Sequence, residues 1–191
     1  FAIFNYVRYT GDKEYLLEMG FDVLLGIARF WSQRVTFSES RKKWVILGVT
    51  GPNEYENNVN NNWYTNYIAR WCMNYTREIG EWISSEHPSV MSAKSEAWKL
   101  DFAKESKQWK ERCDNLFSST IEGTQVFLQQ DGFMDKEQMM VSNLPSDQRP
   151  INQVWSWDRI LRSVFIKQAD VLQGFYFFAD DFTDSMLEEN F

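Results

Sequence analysis

Apolar residues early in the chain return every three or four positions, which is the period of an α-helix. Leu17, Phe21, Leu24, Ala28, Trp31 and Val35 share one helical face, and Leu16, Val23, Ile27 and Phe30 line another. Two such stripes predict a helix from Asp12 to about Arg34 that is covered on more than one side, as in a multi-helix barrel. Asp12 serves as its N-cap, with Glu14 in the first turn. Before it, Phe1 to Tyr9 reads as the tail of a helix that stops near Thr10 and Gly11. Residues 35–39 and 43–47 flank Ser40-Arg41-Lys42 and predict a short hairpin leading into a polar loop. Helical spacing resumes from about Trp63 to Ser85, through Tyr67, Ile68, Trp71, Cys72, Tyr75, Ile79, Trp82 and Ile83.

Pro88 separates that helix from a third, about Ser95 to Leu116, with Trp98, Phe102, Trp109 and Cys113 on one stripe and charged residues elsewhere. Residues 118–157 lose the period at Gly123, Gly132, Pro145 and Pro150 and predict a long irregular excursion. Within it, Thr124 to Gln129 suits a short strand, and Asn152 to Trp157 suits either packing or the rim of a sugar cleft. A fourth helix is expected from Ile166 to about Asp180, opened by Lys167-Gln168, and a short last one from Phe182-Thr183. Long helices alternating with loops at one end make the chain mainly α, in the manner of an α/α barrel. It opens in mid-pattern at Phe1 and closes at Phe191 without a tapering tail, which is expected of a piece of a larger protein.

Composition narrows the chemistry. A hydrophobic fraction of 43% with nine Trp, eight Tyr and fifteen Phe supports a real core, with a minority of rings free to line a cleft. A net charge of -7 leaves no basic stripe for phosphates, which argues against nucleic acid or an anionic membrane surface as partner. Cys72 and Cys113 lack metal-ligand spacing and read as buried reduced thiols. His87, the only histidine, precedes Pro88 at a helix boundary, so a surface or capping role is expected. That argues against mechanisms built on a Ser-His pair or on histidine metal ligands within this chain. Neither a signal peptide nor a membrane-spanning stretch is present, and a cytoplasmic location follows as the expectation.

Residues 48–66, Gly-Val-Thr-Gly-Pro-Asn-Glu-Tyr-Glu-Asn-Asn-Val-Asn-Asn-Asn-Trp-Tyr-Thr-Asn, concentrate carboxylates, amides and rings at a loop-to-helix junction. Gly51 and Pro52 make a turn able to aim the next side chains, and asparagine amides offer the paired donors and acceptors that hydroxyl-rich ligands need. Trp63 and Tyr64 add flat faces for a pyranose ring. The string strongly resembles the active-site segment of the maltose phosphorylases in glycoside hydrolase family 65, alongside trehalose, kojibiose and nigerose phosphorylases. Lys167-Gln168-Ala169-Asp170-Val171-Leu172 is a second match, at the family's spacing, so the likeness covers nearly all 191 residues.

That resemblance implies a partial (α/α)6-barrel catalytic domain spanning residues 1–191, in which Glu54 is the general acid and Lys167 and Gln168 bind hydroxyls of the transferred glucosyl unit. Such an acid needs a carboxyl held neutral near pH 7 by partial burial, and Tyr55 is placed to limit its hydration. Glu56 differs among relatives and is at most a specificity position. Asn53 and Asn60 stand where several trehalose- and kojibiose-type relatives carry Asp, which favours maltose. The implied reaction is inverting phosphorolysis of maltose to β-glucose 1-phosphate and glucose. Its partners are a disaccharide and inorganic phosphate, a co-substrate; no metal or organic cofactor is required. The family's phosphate-binding loop lies downstream of the matched region, and a homodimer would form through other parts of the full-length enzyme. Two rivals stand beside this reading: an inverting α-glucoside hydrolase on the same barrel, which needs a second carboxylate to activate water, and a helical carbohydrate-binding module without catalysis.

Overall fold

A computed structural model describes all of residues 1–191. The chain forms two compact units: Phe1–Val45 with Ile68–Leu116, and Ile46–Tyr67 with Phe117–Phe191.

In the first unit, α1 (Ala2–Thr10) ends where the sequence places its stop. Gly11 adopts φ 72°, and its N–H donates to the Val7 carbonyl at 2.9 Å. Asp12 Oδ1 then accepts from the Tyr15 N–H at 3.1 Å, the predicted cap. The helix it opens is not uniform, because Leu16–Gly20 is a π-helical turn before α2 (Phe21–Arg34). α2 buries Phe21, Leu24, Leu25 and Ala28. Phe21, Leu25 and Ala28 pack with Met73, Ile83, Trp109 and Cys113 in the main core, while Leu24 joins Leu16 and Tyr75. Its expected second stripe is covered only in part: Leu16 is buried and Ile27 half-buried, whereas Val23 and Phe30 are exposed.

The hairpin appears as β1 (Thr36–Ser38) and β2 (Lys43–Val45), antiparallel with Phe37 opposite Trp44. α3 runs from Trp63 to Glu86, close to the predicted limits, and supplies residues to both units. The single helix expected from Ser95 to Leu116 is instead two, α4 (Pro88–Trp98) and α5 (Phe102–Asp114). Lys99 turns left-handed at φ 49°, Leu100 drops into the core, and Asp101 Oδ1 accepts from the Lys104 N–H at 3.1 Å to start the next helix. The break leaves Trp98 exposed and off the stripe. His87 precedes α4 without a side-chain cap and packs edge-on against Trp82. Both cysteines are free thiols; Cys113 is buried, which pushes its pKa up to about 12, whereas Cys72 is only half-buried.

The second unit is built on turns. Residues 117–150 carry short 3-10 segments, and Thr124 to Gln129 is not a strand; only a Thr120–Phe127 bridge forms there. Four helices follow: α6 (Ile151–Val154), α7 (Trp157–Leu161), α8 (Asp170–Phe178) and α9 (Asp184–Asn190), the last capped by Thr183 Oγ1 accepting from the Met186 N–H. α8 begins four residues later than its apolar run suggests, so Lys167 and Gln168 lie in the bend before the helix rather than opening it.

Two cores hold this unit. Leu144, Ile151, Trp155 and Ile160 pack with Tyr55, Met139 and Phe165. Trp63, Val171 and Phe175 gather Tyr67, Phe127 and Phe182 around them. The second is an aromatic cluster, with Trp63 stacked on Tyr67 at 5.1 Å between centroids and 5.0 Å from Phe127. Gly174 is the residue that admits Trp63, since a Cβ there would lie 2.3 Å from its ring.

Candidate active site

All the candidate site residues belong to the second unit. Val49 and Val59 pair through two backbone hydrogen bonds of 2.9 and 2.7 Å, closing residues 50–58 into a loop whose ends cannot separate. Inside it, Gly51 turns at φ 76°. An added Cβ would stand 2.5 Å from Asn62 Nδ2, so the turn needs glycine for both its torsion and its clearance. Gly51→Ala in the full-length protein is therefore expected to cost about 1–3 kcal/mol through the left-handed backbone alone. It should also displace Asn62; thermal unfolding and turnover measured together test this, and a variant matching wild type in both would disprove the account.

Four of the asparagines are turned inward: Asn53, Asn61, Asn62 and Asn66 are buried and each makes internal hydrogen bonds, while Asn57, Asn58 and Asn60 are exposed. Asn61 Oδ1 accepts from the Ile46 N–H at 3.0 Å, and Asn61 Nδ2 donates to Asp131 at 2.7 Å. Asn62 Oδ1 accepts from the Thr65 N–H and hydroxyl, both at 2.9 Å, in the first turn of α3. Asn66 Nδ2 donates to the Phe117 carbonyl at 2.9 Å. Trp63 is likewise not a sugar platform: it is 2% exposed, and its face is taken by other rings. An amide- and ring-rich string is equally suited to scaffolding a tight loop and to gripping a sugar, and here the former accounts for most of it. At the expected cleft rim, Trp155 is core, with the Arg159 guanidinium 3.7 Å from its ring centre, whereas Trp157 is exposed.

What the scaffold presents is Glu54, with 61% of its side chain exposed. Asn53, fully buried behind it, accepts at Oδ1 from the Lys167 N–H at 2.9 Å and the Gln168 N–H at 3.4 Å. One amide thus fixes the 167–168 bend against the residue before Glu54, across more than 110 positions of sequence. The side chains then meet. Gln168 Oε1 accepts from the Glu54 N–H at 2.8 Å, Gln168 Nε2 donates to Glu54 Oε1 at 3.0 Å, and Lys167 Nζ donates to Glu54 Oε2. Glu54, Lys167 and Gln168, singled out in sequence, therefore form one contiguous polar group.

The electrostatics run opposite to the sequence expectation for Glu54. Burial was to hold its carboxyl neutral, but the side chain is exposed. The Lys167 ammonium, by hydrogen bond and by charge, with the Gln168 amide adding to it, holds its pKa below the ordinary glutamate value. Glu54 in turn raises the Lys167 pKa. Each partner thus favours the charged form of the other. Glu56 has also changed role. It is buried and paired with the Lys136 ammonium, and its Oε1 accepts from Gln130 Nε2 at 2.9 Å, so its carboxylate is spent on tying the loop to residues 130–136.

Asp170, Gln129 and Lys136 join the site's support without a sequence signal of their own. Asp170 stands in the same string as Lys167, yet a first-turn aspartate of a helix is ordinarily solvated. Here it is fully buried, and that burial pushes its pKa up to about 6. Lys136 is 80 residues from Glu56, and no local pattern links them.

The model of the glycosyl hydrolase family 65 central catalytic domain matches residues 1–191. A maltose phosphorylase of Bacillus subtilis is 48% identical across all of this chain, and a kojibiose phosphorylase of Halothermothrix orenii is 34% identical, also across all of it; each match covers 24% of the relative. An α,α-trehalose phosphorylase of Thermoanaerobacter brockii is 32% identical over the whole chain and 25% of its own length. The chain therefore spans about a quarter of the relatives it matches. Among solved structures, a candidate kojibiose phosphorylase from the human microbiome superposes with a TM-score of 0.83 at 28% identity, covering 99% of this chain and 26% of that one. Its fold and the family fit the mainly α, partial (α/α)6 barrel expected from the sequence. With the family model matched from the first residue to the last, the chain belongs to glycosyl hydrolase family 65 and forms part of its central catalytic domain.

Proposed function

We propose that the full-length protein is an inverting glycoside phosphorylase that cleaves maltose with inorganic phosphate to β-glucose 1-phosphate and glucose, with Glu54 as general acid. The observation that carries this reading is the meeting of Lys167 Nζ, Gln168 Nε2 and the Glu54 carboxylate at one exposed point. The 48% identity to a maltose phosphorylase supports maltose as the disaccharide.

The ion pair assigns an order to the steps. Lys167 and Gln168 hold Glu54 as a carboxylate while no sugar is bound. A glucosyl unit offers vicinal hydroxyls to the same donors, and drawing them away removes the interactions that favour the charged form. The pKa of Glu54 then rises, more so as the sugar excludes water, and the carboxyl takes up a proton. That proton passes to the glycosidic oxygen as the bond to the anomeric carbon breaks, and glucose leaves with it. A phosphate oxygen attacks the anomeric carbon from the opposite face, so configuration inverts and Glu54 is left ionised, ready to pair again with Lys167. Phosphate is already an anionic nucleophile, so no second carboxylate is needed to deprotonate it.

The test is glucose 1-phosphate and glucose release from maltose by the full-length enzyme, with and without inorganic phosphate. Turnover is expected only with phosphate, giving both products in equal amounts. Equal cleavage without phosphate would assign a hydrolase, and sugar binding without cleavage would assign a binding module.

A further inference from the structure

Behind the Lys167–Gln168 bend lies a polar network that contacts the solvent-exposed group only through the backbone. Asp170 Oδ2 accepts from Asn62 Nδ2 at 2.6 Å, and the same Nδ2 donates to the Gln129 carbonyl at 3.3 Å. The Gln129 side chain continues the path. Its Oε1 accepts from the Asp170 N–H at 3.2 Å, and its Nε2 donates to the Gln168 carbonyl at 3.1 Å. The bend is thereby held at three backbone points, two N–H groups by Asn53 and one carbonyl by Gln129.

This arrangement is poor as a device for stability. Asp170 is fully buried, and no protein group meets hydrogen-bond geometry with its Oδ1; the Asn53 backbone N–H favours the ionised form without completing such a bond. Asn53 Nδ2 is also buried without a partner. Each such group costs about 1–3 kcal/mol when left unpaired. An apolar residue at 170 would avoid the cost, because Val171 and Phe175 already anchor α8 in the aromatic core. What the carboxylate does provide is a short, charge-assisted bond that orients Asn62 and, through it, Gln129.

We propose that Asp170 is a positioning residue, which sets the Lys167–Gln168 bend against Glu54 through Asn62 and Gln129. The proposal rests on the reading of Glu54, Lys167 and Gln168 as the site of phosphorolysis. Asp170 touches neither sugar nor phosphate, and its effect passes entirely through the backbone of the bend. A misplacement of about 1 Å in such a group can cost about 100-fold in rate. The charged groups facing Asp170 are few: Glu56, which opposes its ionisation, is itself paired with Lys136.

The experiment uses the full-length enzyme carrying Asp170→Asn, and the double variant Asp170→Asn with Asn62→Asp, which returns a carboxylate–amide pair with the partners exchanged. Kinetics and hydrogen exchange are read on both, with unfolding midpoints as the control. For the single variant, kcat/KM for maltose is expected to fall about 10–100-fold, while KM for phosphate and the midpoint stay near wild type. Amide exchange should rise at residues 165–169 and not in α2. The double variant restores the bond between positions 62 and 170 and should recover part of both losses, but not all, because Asn62→Asp removes the donor to the Gln129 carbonyl. Wild-type exchange at 165–169 together with wild-type kinetics in the single variant would overturn the proposal, as would losses that track a lowered midpoint with exchange raised throughout. Should the wild-type enzyme show no phosphate-dependent turnover, the functional reading fails by itself, and the exchange pattern still decides the role of Asp170.

Discussion

Glu54→Gln in the full-length enzyme is expected to lower phosphate-dependent turnover of maltose by about 100- to 10,000-fold, the usual contribution of a positioned general acid. Glutamine keeps the shape and its single carbonyl oxygen can accept from Lys167 or from Gln168, but it has no acidic proton to give. KM should therefore change little while kcat collapses, as for a group needed only in the transition state. Glucose 1-phosphate release at saturating maltose and phosphate measures it. A variant retaining more than about a tenth of wild-type kcat would remove Glu54 from the acid role.

The same site fixes a pH dependence, and its sign follows from the ion pair. A general acid works only while protonated, so activity declines as pH rises through its pKa. In the free enzyme Lys167 lowers that pKa, which places the alkaline decline of kcat/KM at low pH. In the sugar complex the donors are engaged by hydroxyls, and the decline in kcat should lie at higher pH. Coincident alkaline limbs in the two profiles would mean that Lys167 does not leave Glu54 on binding.

Lys136→Met is expected to be the most destabilising single change near the site, by about 3–5 kcal/mol. The Glu56 carboxylate is 5% exposed, and the Lys136 ammonium is its charge partner. Removing the cation leaves a buried anion with the Gln130 amide as its remaining side-chain donor. Adding Glu56→Gln to Lys136→Met removes the stranded charge and should recover a large part of the loss, because replacing both members of a buried pair costs far less than breaking it. Denaturant unfolding of the three full-length proteins gives the comparison. Loss should extend to activity, since the Glu56 N–H donates to the Asn53 carbonyl at 3.1 Å and Asn53 holds the 167–168 bend. A single variant as stable as wild type would show that the Lys136–Glu56 pair does not hold the loop.

The helices were legible because their information is local. The stop at Gly11, the cap at Asp12, the hairpin and the limits of α3 each rest on residues a few positions apart. The errors come where apolar spacing continued through a break. Leu100 is apolar and falls inside the predicted third helix yet belongs to a non-helical turn, and Ile166 is apolar but precedes α8 and is exposed. Neither residue carries a local sign that tertiary packing has taken it out of the helix.

For the site, the string at 48–66 and the Lys-Gln pair were enough to name Glu54, Lys167 and Gln168 as candidates and to place the chain in its family. Their joint position was not in the sequence. It depends on Asn53 reaching the 167–168 bend and on Asp170, Asn62 and Gln129 closing around it, all contacts between residues distant in the chain. Charge state was decided at the same level. A carboxyl's pKa depends on what stands within a few ångströms, and only the folded chain puts an ammonium, rather than an apolar wall, beside Glu54. Residue order set which groups were available and which helices would carry them; three-dimensional packing chose which amides turn inward, which carboxylate is buried and which is left open to a sugar, because burial and Coulomb interaction are properties of distance through space.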